Sequence, residues 1–105
     1  MMRQIAIAAL PEAAIDAAEA FMMHHLVAAR DALTEPGVSA LAIILPPAAH
    51  DHRDWRLALA RDLARAATPQ RVNVVAGNPG EALEATLRFL SDAPGVTGHY
   101  LVCHE

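Results

Sequence analysis

Val38-Ser39-Ala40-Leu41-Ala42-Ile43-Ile44-Leu45 is apolar at every position except Ser39, and the next two residues are Pro46 and Pro47. A strand with one face in water alternates apolar and polar residues, whereas a continuous apolar run indicates a strand that is covered on both faces. The two prolines cannot continue the hydrogen-bonding ladder of a sheet, so we expect the strand to end at Leu45. This segment therefore predicts a central strand of a parallel sheet.

The segments on either side of this strand alternate in the same way along the chain. Beyond it, we predict further strands at Gln4–Leu10, Arg71–Ala76 and His99–Cys103. Between the strands we predict a long helix from about Glu12 to Leu33, a second from Arg53 to Ala67, and a third from Glu81 to near Ser91. Such alternation favours an α/β domain with a parallel sheet flanked by helices. We expect residues 1–105 to form a single domain.

The predicted long helix is apolar around much of its circumference. A stripe repeats at three- and four-residue spacing through Ile15, Ala18, Met22, Leu26, Ala29 and Leu33. Phe21 and Met23 widen this stripe, and so broad an apolar surface is typical of a helix that is buried on two sides. Two interpretations remain open: a core helix, or a core helix that also contributes to a subunit interface.

The sequence also indicates the inner face and the start of the second helix, and the start of the third. Trp55, Leu59 and Leu63 mark the inner face of the second helix, and Asp51 or His52 is its candidate cap. For the third helix, we predict Asn78 as the cap, Pro79 as the first helical residue and Glu81 as the reciprocal member of a capping box.

The composition narrows the range of possible functions. The chain has 105 residues, 54% of them hydrophobic and 4% aromatic, and a net charge of −4. Without a basic patch we expect no nucleic-acid partner, and without about 20 consecutive apolar residues we expect no membrane segment. The single cysteine, Cys103, cannot form an internal disulfide, which is consistent with a reducing compartment, so we expect a cytoplasmic protein.

Three segments in the last part of the chain resemble the short-chain dehydrogenase/reductase family. Arg71–Gly80 (RVNVVAGNPG) resembles the family's late strand and loop, R-V-N-x-V-x-P-G. Leu59–Ala64 (LARDLA) is similar to its L-A-x-E-L-A helix, and Phe89–Gly98 (FLSDAPGVTG) to its closing F-L-x-S-D-x-x-x-x-x-T-G. The resemblance is good from Leu59 to Val102 and weaker upstream.

The resemblance implies the second half of a Rossmann-like fold. We therefore expect a small four-stranded parallel sheet in the order 1-2-3-4. The family's unusual last crossover would place the third helix on the face opposite the first two, giving three α/β/α layers. The family's Gly-rich phosphate loop has no counterpart, because the chain contains no G-x-G-x-x-G.

The family's catalytic residue types are also missing or misplaced. Its chemistry uses Ser, Tyr and Lys, but this chain has no Lys, its only Tyr is Tyr100, and its only serines are Ser39 and Ser91. We therefore expect a protein without the ordinary family activity and without a cofactor. Asn78, Pro79 and Gly80 are weak candidates for contact with a nicotinamide-like group, although a role in starting the helix also explains them.

His50, Asp51 and His52 form the best alternative constellation. In an open α/β sheet, ligands bind beyond the carboxyl ends of the strands, where this loop is expected. His50 and His52 are candidate metal ligands, and the three residues together are candidate catalytic groups. A polar surface loop that caps the next helix is the simpler explanation, and it is favoured.

Association is accordingly the first functional hypothesis. We expect a homodimer or homotetramer formed through the predicted helices Glu12–Leu33 and Arg53–Ala67. The residues predicted for this interface are Phe21, Met22, His25, Leu26, Trp55, Leu59 and Leu63. The alternatives are an accessory subunit of a larger enzyme, and a small enzyme or ligand- or metal-binding module that uses the His50-Asp51-His52 loop.

Overall fold

The fold is taken from a computed structural model that describes residues 1–104. Four parallel strands lie in the order β1-β2-β3-β4. The strands are β1 (Met2–Ala6), β2 (Ala40–Leu45), β3 (Arg71–Ala76) and β4 (Tyr100–Val102). The helices are α1 (Ala14–His24), α2 (Leu26–Leu33), α3 (Arg53–Ala67) and α4 (Glu81–Ser91). The predicted α/β class and strand order are confirmed.

The sheet lies between two helical layers. One side carries α1, α2 and α3, and its core includes Phe21, Leu41, Ile43 and Val72. The other side carries α4, where Leu83, Leu87 and Leu90 pack against Ala42, Ile44 and Val75. Neighbouring residues of a strand point to opposite faces, so β2 is buried along its entire length, as its sequence predicts. The three-layer arrangement is also confirmed.

The first strand begins and ends earlier than predicted. Its register places Met2 opposite Ala40 and Ala6 opposite Ile44. One further hydrogen bond, from Ile7 N–H to Ile44 O at 2.9 Å, ends the pairing. Residues 8–10 continue the apolar run, but β2 ends before Pro46 and offers them no further partner. The predicted bounds Gln4–Leu10 were therefore wrong, and β2 and β4 are shorter than predicted.

The predicted long helix is divided into α1 and α2. His25 has φ −127° and ψ −21°, outside helical values, although hydrogen bonds from His25 N–H to Phe21 O and from Ala29 N–H to His25 O bridge the break. The change of direction allows Phe21 before it and Ala29 after it to be fully buried. The residues closest to the sheet are thus largely alanines. The predicted stripe is therefore divided: Ile15 and Met22 point outward, whereas Ala29 is buried and Leu26 and Leu33 pack against the core.

His52 occupies the N-cap position of α3, as predicted, but the predicted side-chain caps were wrong. A short 3₁₀ turn, His50–His52, precedes α3, and no side chain caps either that turn or α3. The α4 helix begins at Glu81 after Gly80, again without a side-chain cap, so Pro79 lies outside it. The side chain of His52 cannot cap α3 because it bonds elsewhere, as described below.

Within the described residues, no helix is both long enough and apolar enough to cross a membrane.

Candidate functional site

A crevice opens where β1 and β2 end. The segment 8–12 after β1 forms one wall, the segment 46–49 after β2 forms the other, and His52 and Arg56 complete the lining. Its volume is about 470 Å³. The carboxyl ends of parallel strands are where open α/β sheets bind ligands. The crevice is therefore the leading candidate for a functional site.

His52 holds the two walls together. Its ring is buried, and Nε2 lies 2.8 Å from Glu12 O while Nδ1 lies 3.1 Å from Trp55 Nε1. An indole N–H can only donate, so Nδ1 accepts and Nε2 carries the proton that is donated to the carbonyl. Nε2 thus ties the start of α3 to the segment after β1, while Nδ1 fixes the ring through Trp55.

The other two residues of the predicted histidine loop lie apart from the crevice. His50 and Asp51 are exposed, and His50 contributes instead to a surface depression with Arg53, Tyr100 and His104. Among residues 1–104, no three His, Cys, Asp or Glu side chains are grouped so that they could hold a metal ion. The structure therefore does not bring His50, Asp51 and His52 together around one point.

Arg56 is the unexpected residue of the crevice. Its side chain is 1% exposed, and Nη1 donates to Pro46 O at 2.9 Å and to Tyr100 Oη at 3.2 Å. The guanidinium carbon lies 5.4 Å from the Trp55 ring centre and 5.9 Å from that of Tyr100. The Nε atom is buried without a hydrogen-bond partner, and no carboxylate of the described residues pairs with the guanidinium. Within residues 1–104, the crevice thus contains a buried cation without a counter-ion.

The signal for Arg56 was present in the sequence. It precedes Leu59 by three residues and Ala60 by four, so helical periodicity places it on the buried face of α3. A buried Arg is rare unless it is paired, so a predicted buried Arg is a useful indication of a functional or structural role.

The serines and tyrosine do not assemble a catalytic group. Ser39 Oγ accepts a hydrogen bond from the Met1 amino group at the amino end of β2, and Ser91 ends α4. The Tyr100 hydroxyl accepts from Arg56. These residues belong to different ends and layers of the fold.

Strand β3, which carries the Arg-Val-Asn motif, holds the loop that precedes β4. Arg71 Nη1 donates to Leu90 O at 2.9 Å and to Ala93 O at 3.0 Å. The buried Asn73 donates through Nδ2 to Val96 O and accepts through Oδ1 from His99 N–H, both at 3.0 Å. The Arg-Val-Asn pattern therefore has a structural role in this chain.

Asn78, Pro79 and Gly80 form an exposed turn after β3. Pro79 and Gly80 line a shallow depression with Glu81 and Ala82, and this depression shares no lining residue with the crevice. The structure does not connect these three residues with Arg56 or His52.

The residues predicted for an interface divide into two groups. Phe21, Leu59 and Leu63 are buried inside the protomer, so they present no surface to a partner; their apolar character reflects the core. Met22 is exposed, and three others are partly exposed: His25, Leu26 and Trp55.

Three further apolar residues were missed as interface candidates. Ile15 is 78%, Met23 68% and Val27 70% exposed. They lie on the side of the helix pair that faces away from the sheet. We call this surface the outer α1–α2 face and define it by the following residues: Ile15, Glu19, Met22, Met23, Val27 and Arg30.

A family model described as SDR-like, short chain dehydrogenase-like protein, matches residues 5–103. The chain therefore belongs to this family. The match extends the resemblance from the motif region to nearly the whole chain, including the crevice and the outer α1–α2 face. Neither the curated proteins nor the solved structures contained a match.

Proposed function

We propose that this short chain dehydrogenase-like protein acts by self-association, as a homodimer joined through the outer α1–α2 face, and not through dehydrogenase chemistry. The observation that carries the proposal is the exposure of Ile15, Met23 and Val27 on one side of one helix pair. Single exposed apolar residues are ordinary, but a contiguous group of them marks an interaction surface.

The pattern of this face is complementary to itself. If two copies pack antiparallel about an axis near the His24–His25 step, Met22 faces Val27 of the other copy and Met23 faces Leu26. The same register sets Glu19 opposite Arg30. Both of these charged side chains are exposed and form no ion pair with another of residues 1–104. A two-fold interface needs such a self-complementary patch, which favours a second copy over an unrelated partner.

The residue types present in the chain support the proposal that it does not act through dehydrogenase chemistry. The chain has no lysine and no Gly-rich phosphate loop, and Ser39 lies at the opposite end of the sheet from the crevice. The family's proton-transfer chemistry requires these groups to meet around one substrate atom.

Light scattering coupled to size exclusion tests the association at micromolar concentrations. We expect the wild-type chain at the mass of a dimer, and Met23→Glu at the mass of a monomer, because two buried carboxylates would face apolar side chains. Phe89→Glu is the control, since Phe89 is exposed to a similar degree on α4, away from the face. A monomeric wild-type protein would eliminate the proposal.

A charge exchange tests the register. Glu19→Arg alone and Arg30→Glu alone each place like charges opposite one another, so we expect both to weaken the dimer. The double variant restores opposite charges and should recover the wild-type dissociation constant. Equal weakening in all three would argue for a different register.

A second candidate function, an accessory role in a larger enzyme, is favoured by the exposure of β1 at the edge of the sheet. Gln4 and Ala6 are exposed, and α4 does not pack against them. Because Ile7 N–H bonds to β2, the alternate N–H groups of Gln4 and Ala6 face away from it along a free edge. An accessory role would use this edge to join another subunit. Ala6→Pro removes one outward donor, so it should abolish co-purification of such a subunit while leaving the homodimer intact.

A further inference from the structure

We infer that the crevice binds a small monocarboxylate with an apolar body, and that Arg56 recognises its carboxylate. The inference rests on the buried guanidinium, which pairs with no carboxylate among residues 1–104, and on the chemistry of the crevice walls. It concerns a different surface from the outer α1–α2 face, so either proposal can fail without the other.

The electrostatics of Arg56 call for an anion. A buried charge is costly unless it is paired, and Arg cannot lose its proton to escape that cost. One carbonyl, one phenol and two aromatic rings provide partial compensation through Pro46, Tyr100 and Trp55. None of these groups carries a negative charge.

The pattern of used and unused hydrogen-bond donors indicates the shape of the anion. Nη1 makes both hydrogen bonds of the Arg56 side chain, whereas Nε and Nη2 donate to no group among the described residues. Nε and Nη2 lie on one edge of the guanidinium, and since Arg56 lines the crevice, an anion there that reaches this edge would meet two parallel N–H groups. A carboxylate accepts such a pair with both oxygens, which is the preferred geometry for Arg and carboxylate.

The walls determine the rest of the ligand. They consist mainly of small apolar side chains, from Ala8, Ala9, Leu10, Pro11, Pro46, Pro47, Ala48 and Ala49. A volume of about 470 Å³ is within the range of small-molecule sites. Glu12 is the one acidic residue of the lining, and its carboxylate disfavours a ligand with a second negative charge. An aliphatic or aromatic monocarboxylic acid satisfies these conditions.

Titration calorimetry with octanoate tests the inference on the full chain, with octanol and octylamine as ligands of the same chain length. We expect octanoate to bind at millimolar or lower concentration, and each of the other two to bind at least tenfold more weakly, since charge-assisted bonds to Arg account for the difference. No binding of octanoate at 10 mM, or equal binding of octanol, would overturn the inference.

Two variants locate the site. Arg56→Met replaces the cation with an apolar side chain of similar length, so the fold should be retained while octanoate binding falls at least tenfold. Ala9→Phe keeps Arg56, adds bulk in an exposed wall and should block the crevice. In a heteronuclear NMR spectrum, octanoate should shift the Trp55 indole N–H signal of the wild type and leave that of Ala9→Phe unchanged. Undiminished octanoate binding by Ala9→Phe would place the ligand elsewhere and overturn the assignment, even if Arg56→Met failed to fold.

Discussion

Asn73 connects the interior of the sheet to the loop before β4. Its side-chain amide donates through Nδ2 to Val96 O and accepts through Oδ1 from His99 N–H. Arg71 holds the same loop and the end of α4 through three carbonyls. Side chains that resemble a family motif can therefore be retained for folding, independently of any reaction.

Replacing Asn73 should show the size of this contribution. Asn73→Ala removes both hydrogen bonds; it leaves His99 N–H without this partner and Val96 O with only the longer bond from Arg71 Nη1, so we expect a loss of about 1–3 kcal/mol in the free energy of unfolding. Urea denaturation provides the measurement. Asn78→Ala is the matched control, because Asn78 is exposed; its effect should stay within about 0.5 kcal/mol. Equal effects in the two variants would contradict the structural role of Asn73.

The two histidines of the loop before α3 should differ in the same way. His52→Ala removes the bonds to Glu12 O and Trp55, so we expect it to lower the free energy of unfolding by about 1–3 kcal/mol. His50→Ala should change it little because His50 is exposed. Thermal unfolding of both variants by circular dichroism tests the difference, and a sensitive His50 would contradict it.

At the scale of elements, the interior strands were the most predictable part. β3 and α3 have the predicted bounds, because their apolar runs are closed by Pro or Gly and by charged residues. The break at His25 was not predictable from periodicity, since both halves keep the same helical spacing. Arg56 was not singled out from the sequence, although its spacing from Leu59 and Ala60 places it on the apolar face of α3. Of the outer α1–α2 face, only Met22 was predicted as an interface residue; whether the helix is core alone or also interface was left open, and alanines occupy much of its buried side.

α4 is the only helix covering its side of the sheet in the described structure, so its inner residues should be sensitive. Leu90 is fully buried, and Leu90→Ala should cost about 2–5 kcal/mol through lost burial and the cavity left behind. Its neighbour Phe89 is 53% exposed and serves as control. Chemical denaturation would show Phe89→Ala close to wild type. A loss from Phe89→Ala as large as that from Leu90→Ala would mean that the outer side of α4 is covered in solution.

For the whole molecule, stability and association should be linked. A chain of 105 residues buries a modest share of its surface, so a partner would contribute noticeably to its stability. Folding into a dimer makes the melting temperature depend on protein concentration. This dependence separates a dimer in solution from a surface that merely contains exposed methionines.

Calorimetric melting at increasing protein concentration tests the linkage. A hundredfold rise in concentration should raise the melting temperature of the wild-type protein by about 5 °C. Met23→Glu should melt at one temperature throughout that range. A wild-type melting temperature that does not change with concentration would argue against coupled folding and association.

Trp55 is the only tryptophan of the chain, and its surroundings turn it into an optical reporter. Its indole N–H is bound to His52, its ring lies 5.4 Å from the Arg56 guanidinium carbon, and Phe21 contacts it from α1 with ring centres 6.2 Å apart. Emission intensity and wavelength depend on the charges and solvent around the indole. Fluorescence from the unlabelled protein can therefore follow occupancy of the crevice through Arg56, and displacement of α1 through Phe21, in the same experiment.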